Sequence, residues 1–251
     1  MKIAVCVKRA PDSETRFRVA PDGKSIDETG VKYDVSDFDL YALEAALQVK
    51  EKTGPGEVVA ISLGPDVVQE TIRKALSMGA DRGVQLKADR VPFDSLAIAR
   101  ALAAELRGGG YDVIFFGRIA VDSANQAVGP MVAELLGLPC VTAVTNRLEV
   151  QNGKGVAERA LESATEVVEF PLPAVITVDE GLYKPRFIAL KGIMAAKKKP
   201  IEQRPAQLGD EQVIVQKMEL PAERAPGRII GEGAAAVPEL VRLLQTEAKV
   251  L

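Results

Sequence analysis

Residues 111–136 read YDVIFFGRIAVDSANQAVGPMVAELL, and this stretch indicates the fold class of the chain. An apolar strand at 111–116 runs into a glycine-bounded loop, and a helix follows at about 130–136. The same order occurs earlier, where a strand-like run at 57–63 leads through a Gly-Pro turn into a helix at 67–78. Strands that alternate with helices of this length predict a mostly parallel sheet with helices on both faces.

The first half of the chain contains further elements of the same kind. They are a strand at 2–7, a helix from 37 to about 52 capped by Ser36 or Asp37, a short strand at 84–86, and a helix at 95–107 capped by Asp94. Glycines follow the helices, as expected where a helix ends.

The pattern then changes. Residues 141–178 predict consecutive short strands, with a hairpin signal at Asn152-Gly153. Residues 181–233 have little periodicity and many prolines, which is typical of an arm that needs another surface to order it. A last helix is predicted at 237–249. We therefore expect an α/β, Rossmann-like, mostly parallel sheet flanked by helices, with added antiparallel strands and an extended C-terminal arm.

The composition limits the possible functions. The chain has 251 residues, 47% of them hydrophobic and only 4% aromatic, so Val, Ile, Leu and Ala must fill the core. A net charge of -3 gives no electrostatic case for nucleic acid as a partner. The chain has no histidine, which removes the commonest general acid/base and the commonest metal ligand.

The two cysteines and the apolar runs bear on the compartment. Cys6 and Cys140 have neither metal-ligand spacing nor the spacing of a redox pair, and Cys6 lies inside an apolar strand as a small core residue would. A reducing, cytosolic location fits this usage. The N-terminal apolar run is too short for a signal peptide, and no run of about 18 apolar residues exists, so we expect no membrane insertion.

Residues 184–200, KPRFIALKGIMAAKKKP, mix basic residues with isolated apolar ones. The bases are Lys184, Arg186, Lys191, Lys197, Lys198 and Lys199, and the apolar groups are Phe187, Ile188, Leu190, Ile193 and Met194. A positive field speeds encounter with an acidic surface, and a few apolar anchors can then hold the partner. The pattern is compatible with an exposed docking loop, and also with a solvated basic linker, which is the usual role of such a segment.

Residues 117–130, GRIAVDSANQAVGP, leave the C-terminal end of a strand and enter a helix, which is where open α/β sheets bind ligands. Small side chains there let a ligand approach backbone N–H groups, and the helix start favours phosphate. The loop is neither a Walker loop nor a G-x-G-x-x-G motif. It predicts either a nucleotide site or only a tight strand-to-helix connection.

Both segments resemble the electron transfer flavoprotein beta-subunit family, and the resemblance covers essentially the whole chain. PRFIALKGIMAAKKKPIE is similar to the family's partner-recognition loop, P-R-Y-A-x-L followed by I-M and a lysine run. Gly117–Asp122 resembles its adenine-nucleotide segment, G-[KR]-Q-A-x-D, with Ile119 in place of Gln and Ala124 where a second acid is common. Ser36–Asp39 resembles its Asn-Pro-Phe/Tyr segment, with Asp37 in place of Pro.

The resemblance implies a set of cofactor-binding residues, with Phe38 near the isoalloxazine of an FAD held mainly by an alpha subunit. The set is Cys6, Ser36, Asp37, Phe38, Asp39, Leu63, Gly117, Arg118, Ile119, Ala120, Val121, Asp122, Ser123, Asn125, Gln126, Ala127 and Val128. It further implies AMP in this subunit, or a second FAD and NADH reactivity if the protein is an electron-bifurcating member.

The resemblance also implies partners and a division of the chain. The chain would be an electron carrier rather than a catalyst with its own substrate. It would take electrons from flavoprotein dehydrogenases, such as acyl-CoA dehydrogenases, to a quinone reductase or another acceptor, in the cytoplasm or the mitochondrial matrix. Leu190 would be the anchor, Phe187, Ile193 and Met194 its support, and Lys197, Lys198 and Lys199 the source of the field. We expect a nucleotide domain at 1–183, a recognition loop at 184–200, and an arm at 201–251 that packs on the alpha subunit.

Two other classes of protein remain compatible with the fold. A nucleotide-binding regulatory protein, such as a universal-stress-like module, would leave the basic loop and the long arm unexplained. An ATP pyrophosphatase would need an S-G-G-x-D-S loop after the first strand, which residues 8–13 do not supply.

Overall fold

A nine-stranded mixed sheet organises the chain, whose computed structural model describes residues 1–224 and 226–251. The strands in chain order are β1 (Lys2–Cys6), β2 (Arg9–Pro11), β3 (Tyr33–Val35), β4 (Glu57–Gly64), β5 (Arg82–Lys87), β6 (Val113–Gly117), β7 (Cys140–Gln151), β8 (Lys154–Ala160), β9 (Thr165–Pro171), β10 (Ala174–Val178) and β11 (Ile201–Pro205). Strands β2 and β3 form a separate antiparallel pair.

The strand order in the large sheet is β11-β5-β4-β1-β6-β10-β7-β8-β9. All neighbours from β11 to β7 run parallel, and β7, β8 and β9 continue the sheet as antiparallel hairpins. The first hairpin turns at Asn152-Gly153, as predicted. This topology confirms the predicted α/β class with a mostly parallel sheet and added antiparallel strands.

Six α-helices lie in the described parts of the chain. They are α1 (Asp37–Thr53), α2 (Val68–Met78), α3 (Ser95–Arg107), α4 (Val128–Leu136), α5 (Leu190–Ala196) and α6 (Val237–Leu243). Asp94 caps α3 as predicted, because its carboxylate accepts from the N–H groups of Leu96 at 2.8 Å and Ala97 at 3.4 Å. Gly54 and Gly79 follow α1 and α2 as predicted.

The core lies on both faces of the sheet, and β1 shows why. Ile3 and Val5 pack with α1 and α2 on one face, whereas Ala4 and Cys6 pack with α3 and α4 on the other. A strand that is buried on both faces is apolar throughout rather than alternating, which is how this segment reads. The interior consists mainly of Val, Ile, Leu and Ala, as the low aromatic content predicts.

The sequence pattern missed two short elements in the region read as an irregular arm. Residues 190–196 form α5, which packs on α2, and residues 201–205 form β11, which pairs in parallel with β5. Neither element has a complete apolar stripe, since α5 has one face in solvent and β11 is an exposed edge strand. Their local patterns are therefore too weak to predict them.

Residues Met1–Lys217 form one compact unit and Met218–Leu251 a second. The second unit holds α6, followed by a π-helical turn at Leu244–Ala248, where the sequence predicts a single helix to about Lys249. Within this unit Arg242 pairs with Glu239 at 2.7 Å and Arg228 with Glu247 at 2.9 Å. Throughout residues 1–224 and 226–251, no helix has the length and apolar content needed to cross a membrane.

Candidate functional site

The C-terminal ends of β1 and β6 lie side by side near the middle of the sheet. From β1 the chain builds outward through β4 and β5, and it then returns to place β6 on the opposite side of β1. Open α/β sheets bind ligands in the crevice outside the strand ends at such a reversal. The candidate site is therefore the region where Cys6–Lys8 and residues 117–127 emerge from the sheet.

Asp39 joins three elements at this point. Its side chain is buried in the first turn of α1. One carboxylate oxygen accepts from the backbone N–H of Lys8 at 2.7 Å, and the other accepts from the backbone N–H of Gly117 at 3.0 Å. The ends of β1 and β6 are thus held against the start of α1 by a single side chain.

Gly117 permits this close approach. A Cβ atom at position 117 would lie 2.5 Å from the Oδ1 atom of Asp39 and 2.6 Å from the carbonyl carbon of Phe38. Both distances are far shorter than van der Waals contact, so no side chain fits there. Packing at the site therefore requires a glycine at position 117, where β6 ends.

The loop after Gly117 is largely exposed, but side-chain contacts attach it to the rest of the protein at two points. The Nζ atom of Lys8 contacts the Oδ1 atom of Asp122 at 2.6 Å and the Oγ atom of Ser123 at 3.3 Å. Farther along, the Nδ2 atom of Asn125 donates to the Oγ atom of Ser95 at 3.0 Å. The loop is therefore attached to the end of β1 and to the start of α3.

The loop ends at the N-terminus of α4. Ala124 and Gln126 each have φ of 52°, a left-handed conformation that turns the chain into the helix. Ala127 stands at the N-cap, and in the described ranges no side chain caps the helix there. A helix start whose N–H groups lack a side-chain acceptor is suited to an anionic group such as phosphate.

Arg118 lies between Phe38 and Asp179. Its guanidinium forms an ion pair with the Oδ2 atom of Asp179 at 2.9 Å, and its central carbon is 5.7 Å from the centre of the Phe38 ring. The ring also meets Tyr41 edge-on, with centroids 6.0 Å apart. The Phe38 ring at the start of α1 thus contacts both a cation and a second ring.

Two buried polar atoms near the site have no hydrogen-bond partner among the residues that the structure describes. They are the Oγ atom of Ser36 and the Nε atom of Arg118. Buried polar atoms are nearly always paired, so these two indicate a missing polar group. Together with the uncapped start of α4, they fit a ligand such as a nucleotide.

The structure brings the predicted cofactor-binding residues to one edge of the sheet. Leu63 is buried near the end of β4, next to β1. Cys6 is buried at the end of β1, and burial raises the pKa of its thiol. The remaining members lie at the start of α1, at the end of β6, in the loop that follows it or at the start of α4, and they are Ser36, Asp37, Phe38, Asp39, Gly117, Arg118, Ile119, Ala120, Val121, Asp122, Ser123, Asn125, Gln126, Ala127 and Val128.

The predicted docking residues lie on a different element, the segment around α5. The side chain of Phe187 is 93% exposed and that of Leu190 is 75% exposed, and Ile193 and Met194 are also exposed. Lys197 and Lys198 are exposed, but Lys199 is partly buried. The ammonium of Lys199 donates to two backbone carbonyl oxygens, and burial lowers its pKa.

The predicted set of cofactor-binding residues leaves out three residues of the site. Lys8 binds the loop, Asp179 pairs with Arg118, and Ser95 accepts from Asn125. Lys8 and Asp179 each lie just beyond a parallel strand at its carboxyl end, which is the signal that could have identified them. Ser95 is the first residue of α3 and has no such signal.

We expect Asp39→Asn to change how stability depends on pH. Burial raises the pKa of Asp39 to about 7, although hydrogen bonds from Lys8 and Gly117 act in the opposite direction. The pKa of Asp39 in the folded state exceeds the unfolded value of about 3.9, so the folded state binds this proton more tightly. The resulting stabilisation is complete below about pH 3.9 and is lost as the pH rises through about 7. The asparagine stays neutral and presents an N–H₂ group where two N–H donors need acceptors.

The measurement is urea unfolding of both proteins between about pH 5 and about pH 8. The wild type should have its largest advantage in free energy of unfolding at the acidic end, and the advantage should shrink as the pH rises. The other carboxylates are common to both proteins, so their contributions cancel when the two free energies of unfolding are subtracted. If the wild-type advantage in free energy of unfolding stays constant over this pH range, the raised pKa assigned to Asp39 is contradicted.

Comparison with known proteins places the chain in one family. Residues 24–208 match the family model described as electron transfer flavoprotein domain. Over the whole chain it is 36% identical to the electron transfer flavoprotein subunit beta of Syntrophomonas wolfei, of which 98% is covered. It is 35% identical to the same subunit of Bacillus subtilis and 34% identical to that of Homo sapiens, again over 100% of the chain and at least 99% of the relative. The chain therefore belongs to the electron transfer flavoprotein beta-subunit family.

Proposed function

We propose that this chain is the beta subunit of a heterodimeric electron transfer flavoprotein that carries electrons from flavoprotein dehydrogenases to a quinone reductase or another acceptor. The observation that carries the proposal is the full-length similarity to relatives of that name. A loop and helix start at the ends of β1 and β6 that suit an anionic ligand, and a separate exposed apolar and basic segment, agree with it. The function fits a chain without histidine, since a bound flavin supplies the redox chemistry and the protein supplies binding and orientation.

The crevice at the ends of β1 and β6 is the proposed nucleotide site of this subunit, and AMP is the proposed ligand. Backbone N–H groups at the start of α4 would hold the phosphate, and the loop 118–127 would enclose the rest of the ligand. The unpaired Ser36 hydroxyl would receive a polar partner. Phe38, held by Arg118, would face the FAD that the alpha subunit holds.

The segment 184–200 is the proposed docking surface for dehydrogenases such as acyl-CoA dehydrogenases. Leu190 would enter an apolar pocket of the partner, with Phe187, Ile193 and Met194 around it. Exposed lysines would accelerate encounter with an acidic partner surface. We further propose that the protein acts in the cytoplasm or the mitochondrial matrix.

The region 201–251 is the proposed contact with the alpha subunit. Several of its apolar side chains are exposed, and they are Val213, Ile214, Leu220, Ile229, Val237, Leu240, Val241, Val250 and Leu251. Exposed apolar side chains in such number are typical of a surface that another chain covers. The residues before 201 would form the nucleotide domain and the docking segment.

The first test is the nucleotide content of the assembled heterodimer. The chain is purified with its alpha subunit, denatured, and its FAD and AMP are quantified by chromatography. One FAD and one AMP per heterodimer are expected for a simple carrier. Two FAD and no AMP would replace this proposal with an electron-bifurcating subunit that reacts with NADH. No flavin in a properly assembled complex would contradict the proposed function.

A further inference from the structure

The segment 184–199 is tied to the helices beneath it, and its first tie is Arg186. The guanidinium forms a two-pronged contact with the carboxylate of Glu44 on α1, with N–O distances of 2.8 and 2.9 Å, and the backbone N–H of Arg186 also donates to that carboxylate at 3.1 Å. The Glu44 side chain is only 3% exposed. Burial alone would raise the pKa of Glu44, but hydrogen bonds from Arg186 and Gln48 lower it. Paired charges in such a site hold the chain firmly.

The second tie is the contact of α5 with the end of α2. A Cβ atom at Gly192 would lie 2.4 Å from the carbonyl oxygen of Ser77. The backbone of α5 therefore rests directly on that of α2, and only glycine allows this distance. On the same side, Ala196 is completely buried.

The third tie consists of hydrogen bonds in both directions, from Lys199 to the end of α2 and from Arg73 on α2 to the segment. The Nζ atom of Lys199 donates to the carbonyl oxygens of Leu76 at 3.0 Å and Ala80 at 2.6 Å, at the C-terminal end of α2. In return, the guanidinium of Arg73 on α2 donates to the carbonyl oxygen of Lys199 at 2.9 Å and to that of Ala196. A cation at a helix C-terminus satisfies carbonyl groups that the helix leaves free.

The neighbouring lysines differ from Lys199 in this respect. Lys197 and Lys198 are exposed to solvent, whereas the ammonium of Lys199 points to backbone oxygens of α2. Between the ties, the side chains of Phe187 and Leu190 project into solvent. The segment thus combines a fixed backbone with free apolar side chains.

We propose that Lys199 and Arg73 are positioning residues of the docking surface, and that they hold α5 on α2 so that Leu190, Ile193 and Met194 are already arranged for binding. The proposal rests on the docking function proposed above and gives Lys199 a role different from that of Lys197 and Lys198. A surface that is ordered before binding avoids the entropy cost of ordering it on contact. The exposed lysines act on the encounter rate through their field, which salt screens.

The test compares Lys199→Met with Lys198→Met in the assembled heterodimer. Electron transfer from an acyl-CoA dehydrogenase reduced by its substrate is measured at low and high ionic strength. Lys198→Met should slow transfer about twofold at low salt and not at high salt, because only the field has changed. Lys199→Met should slow transfer about fivefold at both, because the arrangement of the surface has changed.

Hydrogen exchange of residues 187–196 in the free heterodimer supplies a second readout. Exchange should be faster in Lys199→Met and unchanged in Lys198→Met. Gly192→Ala should act like Lys199→Met, since its Cβ would push α5 away from Ser77, and Gly108→Ala is its control because a Cβ at 108 has open space around it. Flavin content and thermal unfolding show that each variant is assembled.

The failures of the two proposals can be told apart. Wild-type exchange in Lys199→Met, or a rate loss that vanishes at high salt as in Lys198→Met, would overturn the positioning role alone, provided that Leu190→Ala still slows transfer. Faster exchange in Lys199→Met with wild-type transfer in both Lys199→Met and Leu190→Ala would overturn the docking function and the positioning role with it.

Discussion

Leu190→Ala should slow electron transfer from an acyl-CoA dehydrogenase about 30-fold, the loss expected when an interface anchor worth about 2 kcal/mol is removed. Leu190 is 75% exposed at the start of α5, so it contributes little to the core of the free protein. An apolar side chain left in water has its main energetic effect when a partner covers it. Flavin content and stability should therefore remain as in the wild type.

The kinetics are measured by stopped flow with reduced dehydrogenase and the assembled heterodimer. Leu161→Ala is the matched control, because Leu161 is also an exposed leucine but lies in the turn between β8 and β9. This variant should transfer electrons at the wild-type rate. Equal rates for Leu190→Ala and Leu161→Ala would remove Leu190 from the docking surface.

Gly117→Ala should destabilise the fold by about 2–3 kcal/mol, a usual cost of overpacking, and should lower the AMP content of the heterodimer. The added Cβ would lie 2.5 Å from the Asp39 carboxylate and 2.6 Å from the Phe38 backbone. Because Asp39 bonds both Lys8 and Gly117, a shift of α1 would separate all three elements that meet at the site. Stability and ligand binding should therefore be lost together.

Urea unfolding and chromatography of the released nucleotide check this expectation. Gly108→Ala is the control, since Gly108 lies at the end of α3 with φ of -93° and has no atom within 4 Å of an added Cβ. It should leave stability and AMP content unchanged. Normal AMP content in Gly117→Ala would mean that the crevice at the ends of β1 and β6 does not hold the nucleotide.

The fold class was predictable because its signals are local. The runs at 58–61 and 113–116 are apolar throughout, as is typical of buried parallel strands, and Asp94 caps α3 through its own neighbours. The segments β11 and α5 were not predictable in this way. Each is stabilised by one distant surface, β5 for β11 and α2 for α5, and the sequence of a half-exposed segment carries little periodicity.

The candidate site was likewise predictable only in part. The loop 117–130 and the segment 184–200 are recognisable from residue types and order alone, as is the placement of a ligand at the end of a parallel strand. The sequence does not show which side chains face one another. Asp39 is 78 positions from Gly117, and Lys8 is 114 positions from Asp122, so their contacts depend on how β1, α1 and β6 are brought together.

The amino-acid sequence by itself determined the order of strands and helices at 37–178, the glycine-bounded loop, and the mixture of basic and apolar residues at 184–200, because each depends on neighbours along the chain. Only the tertiary structure decided that the Lys199 ammonium points to the end of α2 while Lys198 stays in solvent, since adjacent lysines are identical until a packed surface distinguishes them. It likewise decided that Asp39 is buried and Leu190 exposed, because burial is a property of the assembled layers.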